Sequence, residues 1–377
     1  MANTLRVLVC APMFLKQKMG TRFRALELSK ALAKAGAEVH VAAYNIPDSE
    51  SITFHKLPKP KRTMFGGFSN QVISLIKIIE EVKPDIIYAQ TQWGMFPSVI
   101  AGRLSHIPVV TDIHSSYLED FSLLRKAYGK GSKRYFLREK QESLFLSQCA
   151  ALTAVSTTVA DMYGKSGKQV FVIRSGIDPK MFGNKEKAED IEKIRKGRVI
   201  VGYVGNFNPY QGVDMLLESA REILKEDKDY LFVFVGGNPS ALGDSLEGLP
   251  KGNLKFVGPV EHSQVPKYLN SFDILVIPRP WSQLAHFAFP YKLVEYMGSG
   301  KPVVATDISD HGKLINKDTG ILIKPEKKEL TEALRALKDK KLRERLGRNA
   351  QEFVFKEYNW DMVGAQLKEV LAKFAKN

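Results

Sequence analysis

Two cysteines in 377 residues, Cys10 and Cys149, are too few for a disulfide framework. Both sit in apolar, strand-like stretches, and their scarcity fits a reducing compartment. No run reaches the roughly 20 apolar residues that a membrane span needs, and Arg6 breaks the N-terminal stretch early. A soluble, cytoplasmic chain is therefore expected. Nothing has the ligand spacing of a zinc site, so no metal is expected. Gly164-Lys-Ser-Gly-Lys168 lacks the first glycine and the closing hydroxyl residue of a phosphate loop. Gly20 stands without the three spaced glycines of a dinucleotide fingerprint. Asp227-Lys-Asp229 lies in a charged turn, where solvation explains it without a metal. Acidic charge is short as well: 56 Lys and Arg face 41 Asp and Glu, a formal net charge of +15. That excess favours an anionic partner. A nucleic acid is not expected, because no motif accompanies the charge.

What is present is an ordinary apolar fraction, 44%, on a chain long enough for two domains. Leu5 to Ala11 reads as a buried strand, Thr21 to Ala35 as a helix and Val39 to Tyr44 as the next strand, the opening of a parallel, doubly wound sheet. Further strands are expected at Asp85 to Ala89, Pro108 to His114 and Ala151 to Ser156. A charged, apolar-poor segment follows, and a second series of strands begins at Val199. The expected division is residues 1–182, a linker 183–198, a second domain 199–357 and a terminal segment 358–377.

The stretch from His286 to Asp307 is the most informative. A helix is expected from Pro290, ending at Gly298 and Gly300, before the apolar strand Val303-Val-Ala305. Lys292 and Glu295 lie three apart and so share a face. At the carboxyl edge of an open α/β sheet, a cation and a carboxylate suit a nucleotide, diphosphate for the lysine and ribose hydroxyls for the glutamate. A surface ion pair is the plain alternative. Gly205 to Gly212, a glycine-bounded loop feeding a helix start, is an anion site by geometry but a common turn as well.

Glu295-Tyr-Met-Gly-Ser-Gly-Lys-Pro-Val-Val304 resembles the second half of the donor-site motif of glycosyltransferase family 4, retaining enzymes of the GT-B fold. The resemblance runs from Leu5 to Trp360. It implies an α/β protein of two Rossmann-like doubly wound domains facing across a cleft, with the last helix, starting at Asn359-Trp360, crossing back over the first domain. It also implies a nucleotide-diphosphate sugar as donor substrate, no cofactor and no metal. Five positions depart from the family pattern: Met19 stands at the usual first glycine of the Gly20 loop, Ser175 at the usual asparagine before Gly176, and three lie in the donor-site segments. The first glutamate of its Glu-x7-Glu motif falls on Phe287, and its Arg and Lys before the helix fall on Asn206 and Gln211. In compensation, Lys292, helped by Arg279, is expected to take the diphosphate, with Gln283 or His286 replacing the missing glutamate at the sugar. Gly20 matches the glycine loop facing the donor phosphates. His114, at a strand end, matches the family histidine near donor sugar and acceptor, and joins Lys292 and Glu295 as a catalytic candidate.

Two basic stretches carry aromatics. Residues 58–68 hold Lys61, Arg62 and Phe65 in a Pro/Gly loop that suits either a lipid headgroup layer or packing onto the domain. Residues 125–140 hold Lys133 and Arg134, with a helix from Lys133 to Ser147 whose Phe136, Leu137, Leu144 and Phe145 read as a core stripe. Their one-signed charge suits an anionic membrane surface. The expected activity is hexosyl transfer to a lipid-linked or glycan acceptor, peripheral to the inner face of the cell membrane, as in polysaccharide biosynthesis. The alternatives are a nucleotide-sugar epimerase on the same scaffold, and a non-catalytic GT-B protein binding an anionic surface.

Overall fold

The computed structural model describes residues 4–13, 15, 20–45, 47, 51–59, 68–116, 132–287 and 291–376, with the backbone alone at 283 and 284. The chain forms two compact units, Met1–Ser175 with Trp360–Asn377, and Gly176–Asn359.

Fully buried parallel strands read as continuous apolar runs, because helices cover both faces. The strands of the first unit are β1 (Arg6–Ala11), β2 (Glu38–Ala43), β3 (Thr53–Lys56), β4 (Ile86–Gln90), β5 (Val109–Ile113), β6 (Ala151–Ala154) and β7 (Val170–Val172), of which β4, β5 and β6 are buried throughout while β3 and β7, at the two edges, are partly exposed. They form one parallel sheet in the order β3-β2-β1-β4-β5-β6-β7. Its helices are α1 (Gly20–Lys34), α2 (Ser69–Val82), α3 (Thr91–Leu104), α4 (Lys133–Ser147) and α5 (Thr157–Gly164). The C-terminal helix Trp360–Ala372 belongs to this unit, where Lys368 Nζ donates to the Ala35 carbonyl at 2.8 Å.

The second unit begins with α6 (Pro179–Gly183) and α7 (Glu189–Arg195), then β8 (Val199–Gly205), α8 (Val213–Glu226), β9 (Tyr230–Gly236), β10 (Leu254–Gly258) and α9 (Val265–Ser271). It continues with β11 (Ile274–Ile277), α10 (Gln283–Phe287), α11 (Tyr291–Gly298), β12 (Val303–Thr306), α12 (His311–Leu314), β13 (Ile321–Ile323), α13 (Lys327–Ala336) and α14 (Lys340–Glu357). The sheet runs β10-β9-β8-β11-β12-β13. Strand order reverses between β8 and β11. β8 pairs with β9 out to Gly205, but with β11 only at Val201 and Gly202. The two strands therefore part before their carboxyl ends, and such a reversal point is where open α/β sheets bind ligands.

Two expectations are corrected here. The division falls at Ser175/Gly176, not after 182, and residues 183–198 are no linker. α7 buries Ile191 completely and packs Ile194 against the core, and Arg195 donates to Asp273 at 2.6 Å and to the Ser271 carbonyl, so this charged helix is attached to the second unit. In α4 three of the four residues read as a core stripe face solvent, Phe136 54%, Leu137 66% and Leu144 61% exposed, while Phe145 packs edge-on against Phe96 at 5.0 Å. Its buried side is Glu142 and Leu146, with Glu142 accepting from Tyr163 and Gln92.

Candidate active site

At the β8/β11 reversal, the loop after β8 and the loop after β11 touch backbone to backbone. Gly212 has φ 73°, and a Cβ there would lie 1.7 Å from the Pro278 carbonyl oxygen. Only glycine meets both demands cheaply. Gly212→Ala is expected to force the loops apart and cost about 1–3 kcal/mol, read as a lower urea midpoint. An unchanged midpoint would contradict this packing.

α11 carries Lys292 into this crevice. Its Nζ donates to Gln211 Oε1 at 2.9 Å and to Tyr203 Oη at 3.1 Å, and lies 4.6 Å from the Tyr203 ring centroid. Both polar partners are neutral. Burial, then the nearby Arg279 guanidinium, hold the ammonium well below the usual lysine range, and Glu295 offsets this in part. Arg279, 4% exposed after β11, is itself lowered by burial. Tyr296 is fully buried one turn on. It accepts from the Val204 N–H at 2.6 Å and donates to the Val204 carbonyl at 3.1 Å, filling backbone positions that β11 leaves open. This anchors α11 on β8 and so fixes where Lys292 emerges.

Glu295 takes a different partner. His262, in the turn after β10, donates from Nε2 to Glu295 Oε1 at 2.6 Å, with the carboxylate 9% exposed. Lys292 and Glu295 share a face but are not an ion pair with each other. Nearby, His311 is fully buried, its Nδ1–H donating to the Thr306 carbonyl at 2.7 Å. Burial and then Arg279 push its pKa down to about 3, so the ring is neutral at pH 7. The crevice thus collects two cations, one carboxylate held from outside the cation pair, and neutral donors and acceptors. A diphosphate esterified to a ribose is chemically complementary to that set.

The remaining expectations fall as follows. Gln211 serves as an acceptor for Lys292 rather than only as a donor, and it is 5% exposed. Asn206 is exposed. Its Oδ1 accepts from Asn208 N, while its carbonyl accepts from Tyr203 Oη at 2.7 Å. Gly205, with φ 151°, lies against Lys292, whose Nζ would be 2.5 Å from an added Cβ. His286 lies on α10 with its ring edge-on to Phe287 at 5.3 Å, and Gln283 opens the same helix. Asp227 pairs with Lys338, which accounts for its half of the Asp-x-Asp pattern. Lys61, Arg62 and Phe65 lie outside the described residues. Sequence reasoning missed Tyr203, Tyr296 and His262. The groups they bond lie 92 residues away for Tyr296 and 33 for His262, so no local pattern marks either one.

In the first unit, Gly20 opens α1 with φ 49°. Four turns of that helix hang on a buried ion pair. Arg24 makes a two-pronged bond to Asp112 on β5, Nε to Oδ2 at 3.0 Å and Nη2 to Oδ1 at 3.1 Å, and also donates to the Ile173 carbonyl and Ser175 Oγ. Asp112 further accepts from Thr153 at 2.7 Å and from His114 Nε2 at 2.7 Å. Burial would raise this carboxyl, but Arg24 and His114 hold it far below the carboxylate range. An ionised carboxylate can only accept, so His114 carries its proton on Nε2. In the neutral ring, Nδ1 is then an acceptor.

Residues 184–372 match the family model described as Glycosyl transferases group 1, and residues 20–181 that of Glycosyltransferase Family 4. The phosphatidyl-myo-inositol mannosyltransferase of Mycolicibacterium smegmatis is 24% identical over 93% of this chain and 89% of its own. The alpha-D-kanosaminyltransferase of Streptomyces kanamyceticus is 26% identical over 72% of each. A further relative, 28% identical, is matched over only 36% of its length. The structure of Anabaena HepE in complex with UDP-glucose shares the fold, with a TM-score of 0.74 at 18% identity over 98% of this chain and 100% of that one. With two parallel-sheet Rossmann-like units, and the group 1 model matching half of its residues, the chain belongs to the glycosyl transferases group 1 and is a glycosyltransferase of the GT-B type.

Proposed function

We propose that this chain transfers a hexosyl group from a nucleoside-diphosphate sugar to a lipid-linked or glycan acceptor, with retention at the anomeric carbon. The observation that carries this reading is the Lys292 ammonium, held by two neutral oxygens beside Arg279 at the carboxyl-edge crevice of the second unit. Departure of a nucleoside diphosphate is the step with the largest charge to stabilise, and preorganised cations and donors meet it best. Lys292 and Arg279 supply that charge in place of a metal ion and of the family cations absent at Asn206 and Gln211. The Pro-Tyr-Lys-Leu-x-Glu segment is thus a working variant of the donor motif. Glu295 accepts from the ribose hydroxyls. The leaving diphosphate takes the proton of the incoming acceptor hydroxyl on the same face, so no protein nucleophile is required. His114 Nδ1 offers an acceptor for a substrate hydroxyl. Incubation with radiolabelled UDP-, GDP- and ADP-hexoses and a membrane lipid extract tests this. Transfer of label into lipid or glycan, with equimolar nucleotide release, is expected. Sugar interconversion without an acceptor would support the epimerase alternative instead.

The acceptor is proposed to lie at an anionic membrane surface, the inner leaflet of the cell membrane. Among the described residues, seven of the nine exposed large apolar side chains belong to α2, α3 and α4 of the first unit: Ile73, Trp93, Ile100, Leu104, Phe136, Leu137 and Leu144. On the same helices the cations Lys77, Arg103, Lys133, Arg134 and Lys140 are exposed, against the acids Glu80, Glu81 and Glu139. Apolar groups among cations fit an anionic headgroup layer, each cation adding about 1 kcal/mol. Among the described residues no helix is long and apolar enough to cross a membrane. Co-sedimentation is expected with phosphatidylcholine vesicles containing phosphatidylglycerol, and not with phosphatidylcholine alone. Leu137→Asp with Lys133→Glu should abolish it. Absence of binding to both vesicles would remove the membrane from the proposal.

A further inference from the structure

We infer that His262 is the residue that positions Glu295 for the ribose of the donor, so that hydroxyl recognition belongs to the pair and not to the carboxylate alone. This rests on the donor-site reading given above. The side chain of a glutamate ends in a torsion with a broad, twofold preference, so an unsupported carboxylate on α11 has several orientations open to it. One of them faces Lys292, three residues earlier on the same helix, and would place the carboxylate on the cation meant for phosphate. His262 removes that freedom. Its Nε2 donates to Oε1 at 2.6 Å, at the short end for a charge-assisted bond, from an element outside α11. Both groups are largely enclosed, at 17% and 9% side-chain exposure, so water competes little for the contact.

The lone-pair accounting leaves room for a diol. A carboxylate has about four acceptor positions. His262 occupies one on Oε1, and Oε2 has no hydrogen-bond partner among the described residues. The 2′- and 3′-hydroxyls of a ribose are two adjacent O–H donors, and they fit the positions that remain. His262 thus acts through Glu295 as a positioning residue. It keeps the carboxylate turned to the sugar edge of the nucleotide and away from the Lys292 and Arg279 end.

The test is discrimination between ribose and deoxyribose. Dissociation constants are measured by calorimetry for UDP, GDP and ADP and for their 2′-deoxy forms, on wild type, His262→Ala, His262→Gln and Glu295→Gln. Wild type is expected to prefer its ribonucleotide roughly tenfold or more over the deoxy form, the range of a hydrogen bond to a charged group. His262→Ala should bring that ratio close to one while affinity for the deoxy form changes little. His262→Gln, which keeps an N–H donor, should recover much of it, and Glu295→Gln should lose it. If His262→Ala keeps the wild-type ratio, or weakens both forms equally, the inference is wrong and the contact only braces α11. If wild type binds a nucleotide but ignores the 2′-hydroxyl, the inference is also wrong while the donor site stands. If wild type binds none of the three nucleotides, the donor-site reading fails and takes this one with it.

Discussion

Lys292→Met is expected to give a protein that melts higher than wild type and yet no longer binds a nucleoside diphosphate. The lysine is a buried cation with two neutral oxygens for partners and a second cation beside it. Removing such a charge and keeping its apolar stem should stabilise the empty protein by about 1 kcal/mol or more. The same change deletes a preorganised cation from the leaving-group site, which costs on the order of 10²–10³ in turnover. A purely structural lysine would show the reverse, a lower melting point and unaltered binding. The pH dependence has a definite sign. Burial and Arg279 lower the ammonium pKa, and a bound diphosphate favours the charged form, so binding takes up a proton once pH exceeds the depressed value. Affinity should then fall with rising pH, by at most tenfold per unit, up to the pKa in the complex. Calorimetry in buffers of different ionisation enthalpy would register that proton, and Lys292→Met should abolish the uptake.

The second large effect is expected in the first unit. Asp112→Ala leaves Arg24 buried, at 3% exposure, without its carboxylate, and frees His114 and Thr153 as well. Breaking one partner out of a buried pair costs about 3–5 kcal/mol, which for a unit of this size lowers the melting point by roughly 6–20 °C. The folded pKa of Asp112 is depressed, so its contribution is complete above the unfolded value near 3.8 and is lost as pH falls through the acid range. Acid denaturation of Asp112→Asn should therefore be shallower than that of wild type. A melting point within 2 °C of wild type for Asp112→Ala would contradict the role given to this network.

Much of this was legible before any coordinates. Parallel strands buried on both faces announce themselves as apolar runs, which is why β1, β4, β8, β9 and β12 could be read directly. Lys292 and Glu295 were legible because glycine and proline punctuate α11 on its far side and because i,i+3 spacing sets one face. Their partners were not. Gln211 and Tyr203 lie 81 and 89 residues from Lys292, His262 lies 33 from Glu295, and Asp112 lies 88 from Arg24. No local pattern encodes contacts made by crossover topology. Periodicity also misled at α4, since spacing tells which residues share a face but not whether anything covers it. The linker expectation failed for the converse reason. Two isoleucines on one face and the bonds of Arg195 attach a seven-residue helix, and composition averages them away.

The most direct test of the donor site is a thermal-shift titration of wild type and Lys292→Met with UDP, GDP and ADP. Ligand at 100 times its dissociation constant stabilises the folded state by about 2.7 kcal/mol. One nucleotide should raise the wild-type midpoint by several degrees, and Lys292→Met should show no rise from its own, higher baseline. A wild-type midpoint indifferent to all three nucleotides, or a shift that survives in Lys292→Met, would contradict the assignment of Lys292 as the diphosphate cation.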